Sequence, residues 1–241
     1  MTDGHEDLSV DGRRGVSDLR SFGRRHGRPL SARQKALLAD VLPRVGIDLA
    51  TPTPVPLTRL FPIPTDEVWL EIGFGGAEHL IWQAEHNRHV GLIGCEPFQE
   101  GVVKALTGIE AKSLRNVRLW PDDARPLLDW LPEASISRAF ILFPDPWPKK
   151  RQQKRRLINP ALLAALTRVL RPGGSVRIAT DIADYTRTIL LATQATPALR
   201  WSAGQASDWR VRPSDWPMTR YEAKALAASR RCTYLTFVRD R

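Results

Sequence analysis

From Val68 onward, short runs of bulky apolar residues alternate with longer stretches in which apolar positions recur at helical spacing. That alternation marks βα units feeding a parallel sheet. The runs Val68–Ile72, Val90–Cys95, Val117–Trp120, Arg138–Phe143 and Ser175–Ala179 predict strands. Helices are predicted over Ala77–His86, Gln99–Leu114, Pro160–Leu170 and Ile182–Thr193, the third with Asn159 as its cap and proline in its first turn. Two last runs, Leu199–Ser202 and Thr233–Arg239, suit a hairpin-like pair that extends the sheet, joined by a tryptophan- and arginine-rich loop and a helix over Tyr221–Ser229. The fold class is α/β, with a mostly parallel central sheet and helices on both faces.

Ahead of this unit, Ser31 is placed to cap a helix running to about Leu42, before Pro43. Five prolines between Thr51 and Pro64 predict an extended linker. Residues 1–30 lack apolar periodicity, and their second half turns basic at Arg20, Arg24, Arg25 and Arg28, as in a flexible arm. The expected organisation is therefore an arm over 1–30, a helix and proline-rich linker over 31–64, and the main domain over 65–241.

Composition narrows the partners. With 241 residues, 42% of them hydrophobic, the chain can bury one sizeable core. A formal net charge of +10 and a pI near 10.3 favour a polyanion, nucleic acid above a membrane surface. Neither an 18-residue apolar run nor an apolar leader is present, so a cytoplasmic location is expected, with no membrane association. Cys95 and Cys232 sit far apart in apolar segments, and the five histidines lack metal-ligand spacing. No metal is expected, and structural or surface roles are assigned to the histidines.

The chemistry concentrates between Phe143 and Arg156, F-P-D-P-W-P-K-K-R-Q-Q-K-R-R. Pro144, Pro146 and Pro148 end the strand and stiffen the loop, and each biases the residue before it toward extended backbone. Asp145 and Trp147 thereby become candidate functional side chains at the strand's carboxyl end. Lys149, Lys150, Arg151, Lys154, Arg155 and Arg156 follow as a strong local field for a polyanion.

A second centre lies at Glu71-Ile72-Gly73-Phe74-Gly75-Gly76, where the first strand turns into a helix. Small residues there let a ligand approach the backbone. Glu78 stands where a dinucleotide fingerprint requires glycine, and Glu71 adds a second negative charge, which disfavours a pyrophosphate. S-adenosylmethionine, cationic and free of phosphate, suits the turn better. Glu96 after the second strand is placed to accept from ribose hydroxyls, and Asp123 after the third to accept from an adenine amino group, with Asp122 as its neighbouring competitor.

These residues together resemble the bacterial tRNA (guanine-N7)-methyltransferases, a family of the Rossmann-like class I S-adenosylmethionine-dependent fold. The resemblance covers E-I-G-F-G, G-C-E-P, D-D-A, F-P-D-P-W-P-K-K-R with the following K-R-R, A-T-D at Ala179–Asp181, T-R-Y-E at Thr219–Glu222, and R-S-F-G-R-R near the amino terminus. One departure is Ala77, where that family usually carries glycine. The resemblance implies transfer of a methyl group from S-adenosylmethionine to N7 of a guanosine in the tRNA variable loop. It implies a cofactor site at Glu71, Gly73, Gly75, Glu96, Asp123 and Asp145, with Asp145 also catalytic. Substrate contacts are implied at Lys149, Asp181, Thr219, Arg220, Tyr221 and Glu222, and RNA contacts at Lys150, Arg151, Lys154, Arg155 and Arg156. Asp181 also reads as a helix N-cap, and Glu222 as a first-turn acid. Two alternatives stand beside this. The Asp145-Pro146-Trp147 loop partly resembles that of enzymes methylating exocyclic amines, although an aromatic ring occupies the place of the second proline. The other is an RNA-binding protein that keeps the fold without catalysis.

Overall fold

The computed structural model describes residues 25–240; most of the predicted arm, residues 1–24, lies outside the described residues. The strands are β1 (Glu67–Ile72), β2 (Val90–Cys95), β3 (Val117–Trp120), β4 (Ile136–Leu142), β5 (Leu170–Thr180), β6 (Leu199–Trp201) and β7 (Thr233–Arg239). They form a 7-stranded sheet in the order β3-β2-β1-β4-β5-β7-β6. β1 to β5 run parallel, whereas β7 is antiparallel to both β5 and β6. The expected α/β class and the closing antiparallel pair are both present.

Parallel strands covered on both faces must be apolar on both, and β2 is buried at every position. The period-2 alternation then sorts the core into halves. Val68, Leu70 and Ile72 of β1 join Ala139 and Ile141 of β4 on one face, under α5 (Ala124–Trp130), α6 (Pro160–Val169) and α7 (Ala183–Gln194). Trp69 and Phe140 point the other way, into the half built by α3 (Glu78–His86), α4 (Gln99–Ala111) and α9 (Arg220–Ala227). Glu71 shares the Trp69 parity, so its carboxylate is directed at α3.

Three segments depart from expectation. The first helix does not stop before Pro43: after the Ser31–Gln34 capping box, α1 (Ala32–Ala36) passes through a π-helical turn, Leu37–Val41, into α2 (Leu42–Val45). Pro43 follows directly on the π-helical turn, where the hydrogen bonding already departs from the i→i−4 ladder that a proline would interrupt. The proline-rich stretch is not a spacer, because it turns through a 3-10 helix, Leu57–Leu60, and buries Leu57 and Phe61 in the sheet core. Helix α5 was not foreseen; Asp123 caps it through the Arg125 N–H at 2.9 Å, and Pro126 sits in its first turn. A further short helix, α8 (Ser207–Arg210), lies in the tryptophan-rich loop.

Phe61 lies against β2 where Gly91 leaves room, and a Cβ on Gly91 would overlap the Phe61 ring. Glycine within a strand here marks a close approach, not a bend. Gly91→Ala is therefore expected to destabilise the chain by about 1–3 kcal/mol through overpacking, read as a lower urea midpoint with an unchanged m-value.

Candidate functional site

Strand order reverses between β1 and β4, so the connections leaving their carboxyl ends diverge and open a crevice, as in other open α/β sheets. A cavity of about 790 Å³ occupies it, within the range of small-molecule sites. Glu71, Gly73, Gly75, Glu96, Asp123 and Asp145 all line this cavity, as do Lys154, Arg155, Arg156, Thr219 and Tyr221. Lys149, Lys150, Arg151, Asp181, Arg220 and Glu222 are not among its lining residues.

The turn after β1 is built on positive φ angles, at Gly73 (75°), Gly75 (52°) and Ala77 (62°). A Cβ on Gly73 would meet nothing within 4 Å, so this side of the turn is open to a ligand. Ala77, the cap residue of α3, adopts the left-handed conformation that glycine takes freely, at a cost of about 1 kcal/mol. Its methyl group is buried at the root of α3.

Glu96 joins two turns: its carboxylate accepts the Gly75 N–H and the Phe98 N–H, each at 2.8 Å. Burial pushes its carboxyl above the ordinary range, and these two backbone donors oppose that rise. Glu71 is 2% exposed and faces His79 Nδ1 at 2.8 Å, with Gln83 Nε2 3.1 Å from the other ring nitrogen. A structural role was expected for His79, and it is buried, but it also lines the cavity. The signal was available: a side chain in the first turn of a helix points back toward its N-terminus, here toward the strand end.

Asp123 is committed more deeply than foreseen. Besides capping α5, it accepts Arg125 Nε at 2.7 Å and Nη2 at 2.5 Å. Burial alone would raise its carboxyl, but the Arg125 bonds bring it below the usual carboxylate range. Of the two competitors, Asp123 reaches the cavity. Asp122 accepts the Asp123 N–H at 2.7 Å and pairs with Arg25 at 2.8 Å.

On the opposite wall the proline loop carries Asp145, which is exposed, and Trp147, half-buried beneath the Arg155 guanidinium at 5.1 Å from the ring centroid. Phe143 and Trp147 are not extended as proline neighbours were expected to be; their φ values are 51° and 41°. Both still avoid the right-handed helical region that a following proline disfavours. The loop is held by Arg156, expected among the RNA contacts, whose guanidinium is bonded within the fold. Arg156 is 3% exposed, and its Nε donates to Pro146 O at 3.0 Å. Its other nitrogens donate to Thr188 Oγ1 at 2.5 Å and Asp184 Oδ2 at 2.6 Å, and the guanidinium lies over the Tyr185 ring. Lys149, Lys150, Arg151 and Lys154 remain exposed, on or beside the 3-10 helix Lys150–Arg155.

The T-R-Y-E stretch divides in the same way. Thr219 caps α9 through the Glu222 N–H at 3.2 Å, and Tyr221, half exposed, stands at the cavity beside Gly75. Arg220 lies outward, 3.7 Å from Glu78. Glu222 is 2% exposed and holds Tyr234 Oη at 2.6 Å and Arg212 Nε at 3.0 Å, so it is a buried anchor of α9. Asp181 pairs with Arg230 at 2.6 Å. It is not the cap of α7, since Ile182 occupies that position and the Ile182 N–H is taken by Thr180 Oγ1. Among the described residues there is no cluster suited to hold a metal, and no helix is long and apolar enough to cross a membrane.

Sheet order, glycine turn and crevice are those of class I methyltransferases, and solved structures bear out the fold. The 16S rRNA methyltransferase KamB superposes with a TM-score of 0.54 at 16% identity, covering 73% of this chain and 89% of that one. The cyclase SpnF superposes at 0.50 and 14% identity, covering 74% and 76%, so the fold by itself does not define the reaction. The family model described as "Putative methyltransferase" matches residues 65–235. A tRNA (guanine-N(7)-)-methyltransferase of Rhodospirillum rubrum is 49% identical over 227 residues, spanning 93% of this chain and 89% of the relative. One of Hyphomonas neptunium is 51% identical over 208 residues, spanning 86% and 94%. The chain belongs to the tRNA (guanine-N7)-methyltransferase family.

The position of Glu96 has a measurable consequence. A carboxyl whose folded value is raised favours its neutral form on folding, so its contribution to stability is fullest below the unfolded value and is lost as pH rises through the raised one. Glu96→Gln removes that titration. As pH rises from below the ordinary glutamate range through and above it, the stability of the wild type without ligand is expected to fall relative to the variant, as read by urea unfolding at each pH.

Proposed function

We propose that this chain transfers the methyl group of S-adenosylmethionine to N7 of a guanosine in tRNA, which the family resemblance puts in the variable loop. The observation that carries this reading is a single cavity that brings the glycine turn and Glu96 on one wall together with Asp145 and Trp147 on the other. The donor set fits the cofactor. Gly73 leaves its backbone open, Glu96 offers a carboxylate to ribose hydroxyls, and Glu71 and Asp123 add negative charge that suits a sulfonium and repels a pyrophosphate. S-adenosylmethionine supplies an electrophilic methyl group on a cationic sulfur.

Guanine N7 is an acceptor with a lone pair and no hydrogen. Methylation there would release no proton from N7 and would leave a positive charge on the purine, so no general base is needed. The chain's task is to hold the base in line at near-attack distance and to exclude other poses. Asp145, at the mouth of the cavity, is suited to accept from the N1–H and N2–H of guanine and to balance the charge arriving on the ring. Trp147 and Tyr221 add aromatic side chains to the cavity lining. Lys149, Lys150, Arg151 and Lys154 form an exposed cationic ridge beside it that suits phosphates, which position RNA without reading its sequence.

Incubation with unmodified tRNA and identification of the methylated nucleoside tests the reading directly. 7-Methylguanosine supports it, a methylated exocyclic amine moves the enzyme to a different class, and no product leaves an RNA-binding protein. Asp145→Asn, nearly isosteric, is expected to retain the fold and cofactor binding while slowing single-turnover methyl transfer at least about tenfold, roughly 1.4 kcal/mol of barrier. Unchanged turnover would remove Asp145 from the reaction.

The basic run is expected to divide by burial. Neutralising Lys150, Arg151 and Lys154 should lower the log–log salt slope of tRNA binding by up to about 0.7–0.9 per phosphate contact and shift stability by no more than about 0.5 kcal/mol. Arg156→Ala should instead cost at least about 2 kcal/mol of stability, because its charged hydrogen bonds are lost and the Pro146 carbonyl is left unpaired. Titrations across ionic strength and urea denaturation read the two effects separately.

A further inference from the structure

The pair Glu71–His79 is the most deeply buried titratable contact of the cavity wall, with side-chain exposures of 3% and 2%. The proposed reaction uses neither ring nitrogen. The geometry around the pair fixes which nitrogen carries hydrogen. Gln83 Oε1 accepts the Asn87 amide at 2.9 Å, and Gln83 Nε2 donates to the Asp215 carbonyl at 2.8 Å. Flipping the Gln83 amide would turn its oxygen toward another carbonyl oxygen, so the orientation is settled by its partners. Its nitrogen therefore also faces His79 Nε2, at 3.1 Å, as a donor. Nε2 must accept, which leaves the hydrogen on Nδ1, and Nδ1–H donates to Glu71 Oε2 at 2.8 Å.

The remaining surroundings are aromatic. Phe140 meets the His79 ring edge-on with centroids 4.6 Å apart, and Trp216 does so at 5.7 Å. Neither ring can replace a polar partner of Glu71. Asp215, whose carbonyl orients Gln83, is itself pinned by Arg177 at 2.7 Å and Arg138 at 3.3 Å. A continuous chain of polar contacts thus runs from strands β4 and β5, through the loop that precedes Thr219 and Tyr221, to the acid at the end of β1.

We propose that His79 is a positioning residue for the methyl donor: held in its Nδ1–H tautomer by Gln83, it fixes the Glu71 carboxylate so that the carboxylate's cavity side is presented to the cofactor's cationic amino-acid end. A carboxylate buried beside a glycine turn can rotate, and a partner on one oxygen removes that freedom before the ligand arrives. The proposal rests on the reading that Glu71 contacts the cofactor, and the test separates the two.

The measurement is calorimetric binding of S-adenosylmethionine to the full chain, with thermal unfolding as a check on each variant. His79→Leu, of similar volume and without a donor, is expected to weaken binding at least about tenfold. His79→Asn, whose amide nitrogen falls near the place of Nδ1, should recover most of that loss. Gln83→Met, which leaves His79 packed but unlocks its tautomer, should weaken binding a few-fold and keeps the proposal testable if His79→Leu does not fold. In a Glu71→Gln background the losses from His79→Leu or Gln83→Met should vanish, because a residue acting through Glu71 has nothing left to act on. A merely structural histidine would give additive losses, and that result overturns the proposal. Wild-type affinity in His79→Leu, or in Gln83→Met should His79→Leu fail to fold, with tenfold loss in Glu71→Gln, overturns it while sparing the cofactor reading. Wild-type affinity in Glu71→Gln overturns both.

Discussion

Two hydrogen bonds to one carboxylate hold the site together. Glu96, at the end of β2, accepts the Gly75 N–H from the turn after β1 and the Phe98 N–H from the turn before α4. Neighbouring parallel strands are joined by ladder bonds along their length, but the ladder stops at their carboxyl ends, where the chain leaves in divergent directions. The Glu96 bonds extend that connection one step beyond the sheet. They also hold the glycine turn open, with Gly73 facing the cavity. Burial of this carboxylate is unfavourable, and the two backbone donors offset part of the cost.

The same problem recurs around the rim with different solutions. A sheet that gathers acids at one edge brings like charges into a poorly solvated space, and each needs a donor of its own. Glu71 has His79, Asp123 has Arg125, and Glu96 has backbone. Asp145 alone of these acids is exposed. That contrast separates their tasks: the first three are held by the fold and form one wall, while the fourth is left available to whatever enters. Arg156 supports the fourth from behind, gripping Pro146 and α7 so that the proline loop is tied to that helix.

Among residues of one motif, burial divides structure from chemistry. In T-R-Y-E, Tyr221 reaches the cavity while Glu222 is sealed beneath α9 with Tyr234 and Arg212. In the basic run, Arg156 is enclosed while Arg151 is exposed. Neighbours in sequence on a helix or turn point in different directions, so a motif assigns a stretch to a site without assigning every side chain in it. Family membership carries the motif; only the contacts tell which member of it meets a ligand.

Sequence alone determined the elements whose signal is local. Strand runs such as Val90–Cys95 and Thr233–Arg239 were legible because apolar content and β-branching repeat within a few residues, and the helix at Pro160 because its cap and first-turn proline are adjacent. The acids at successive strand ends were legible because strand ends were. What sequence left open depended on partners distant along the chain. The proline-rich stretch packs because Gly91 makes room for Phe61, α5 is short enough that its cap outweighs its pattern, and Arg156 is buried because Asp184 and Thr188 on α7 meet it. Tertiary structure decided those, for a physical reason: a side chain's solvation and hydrogen-bond partners are set by what lies across the fold, and periodicity reports only the face it starts from.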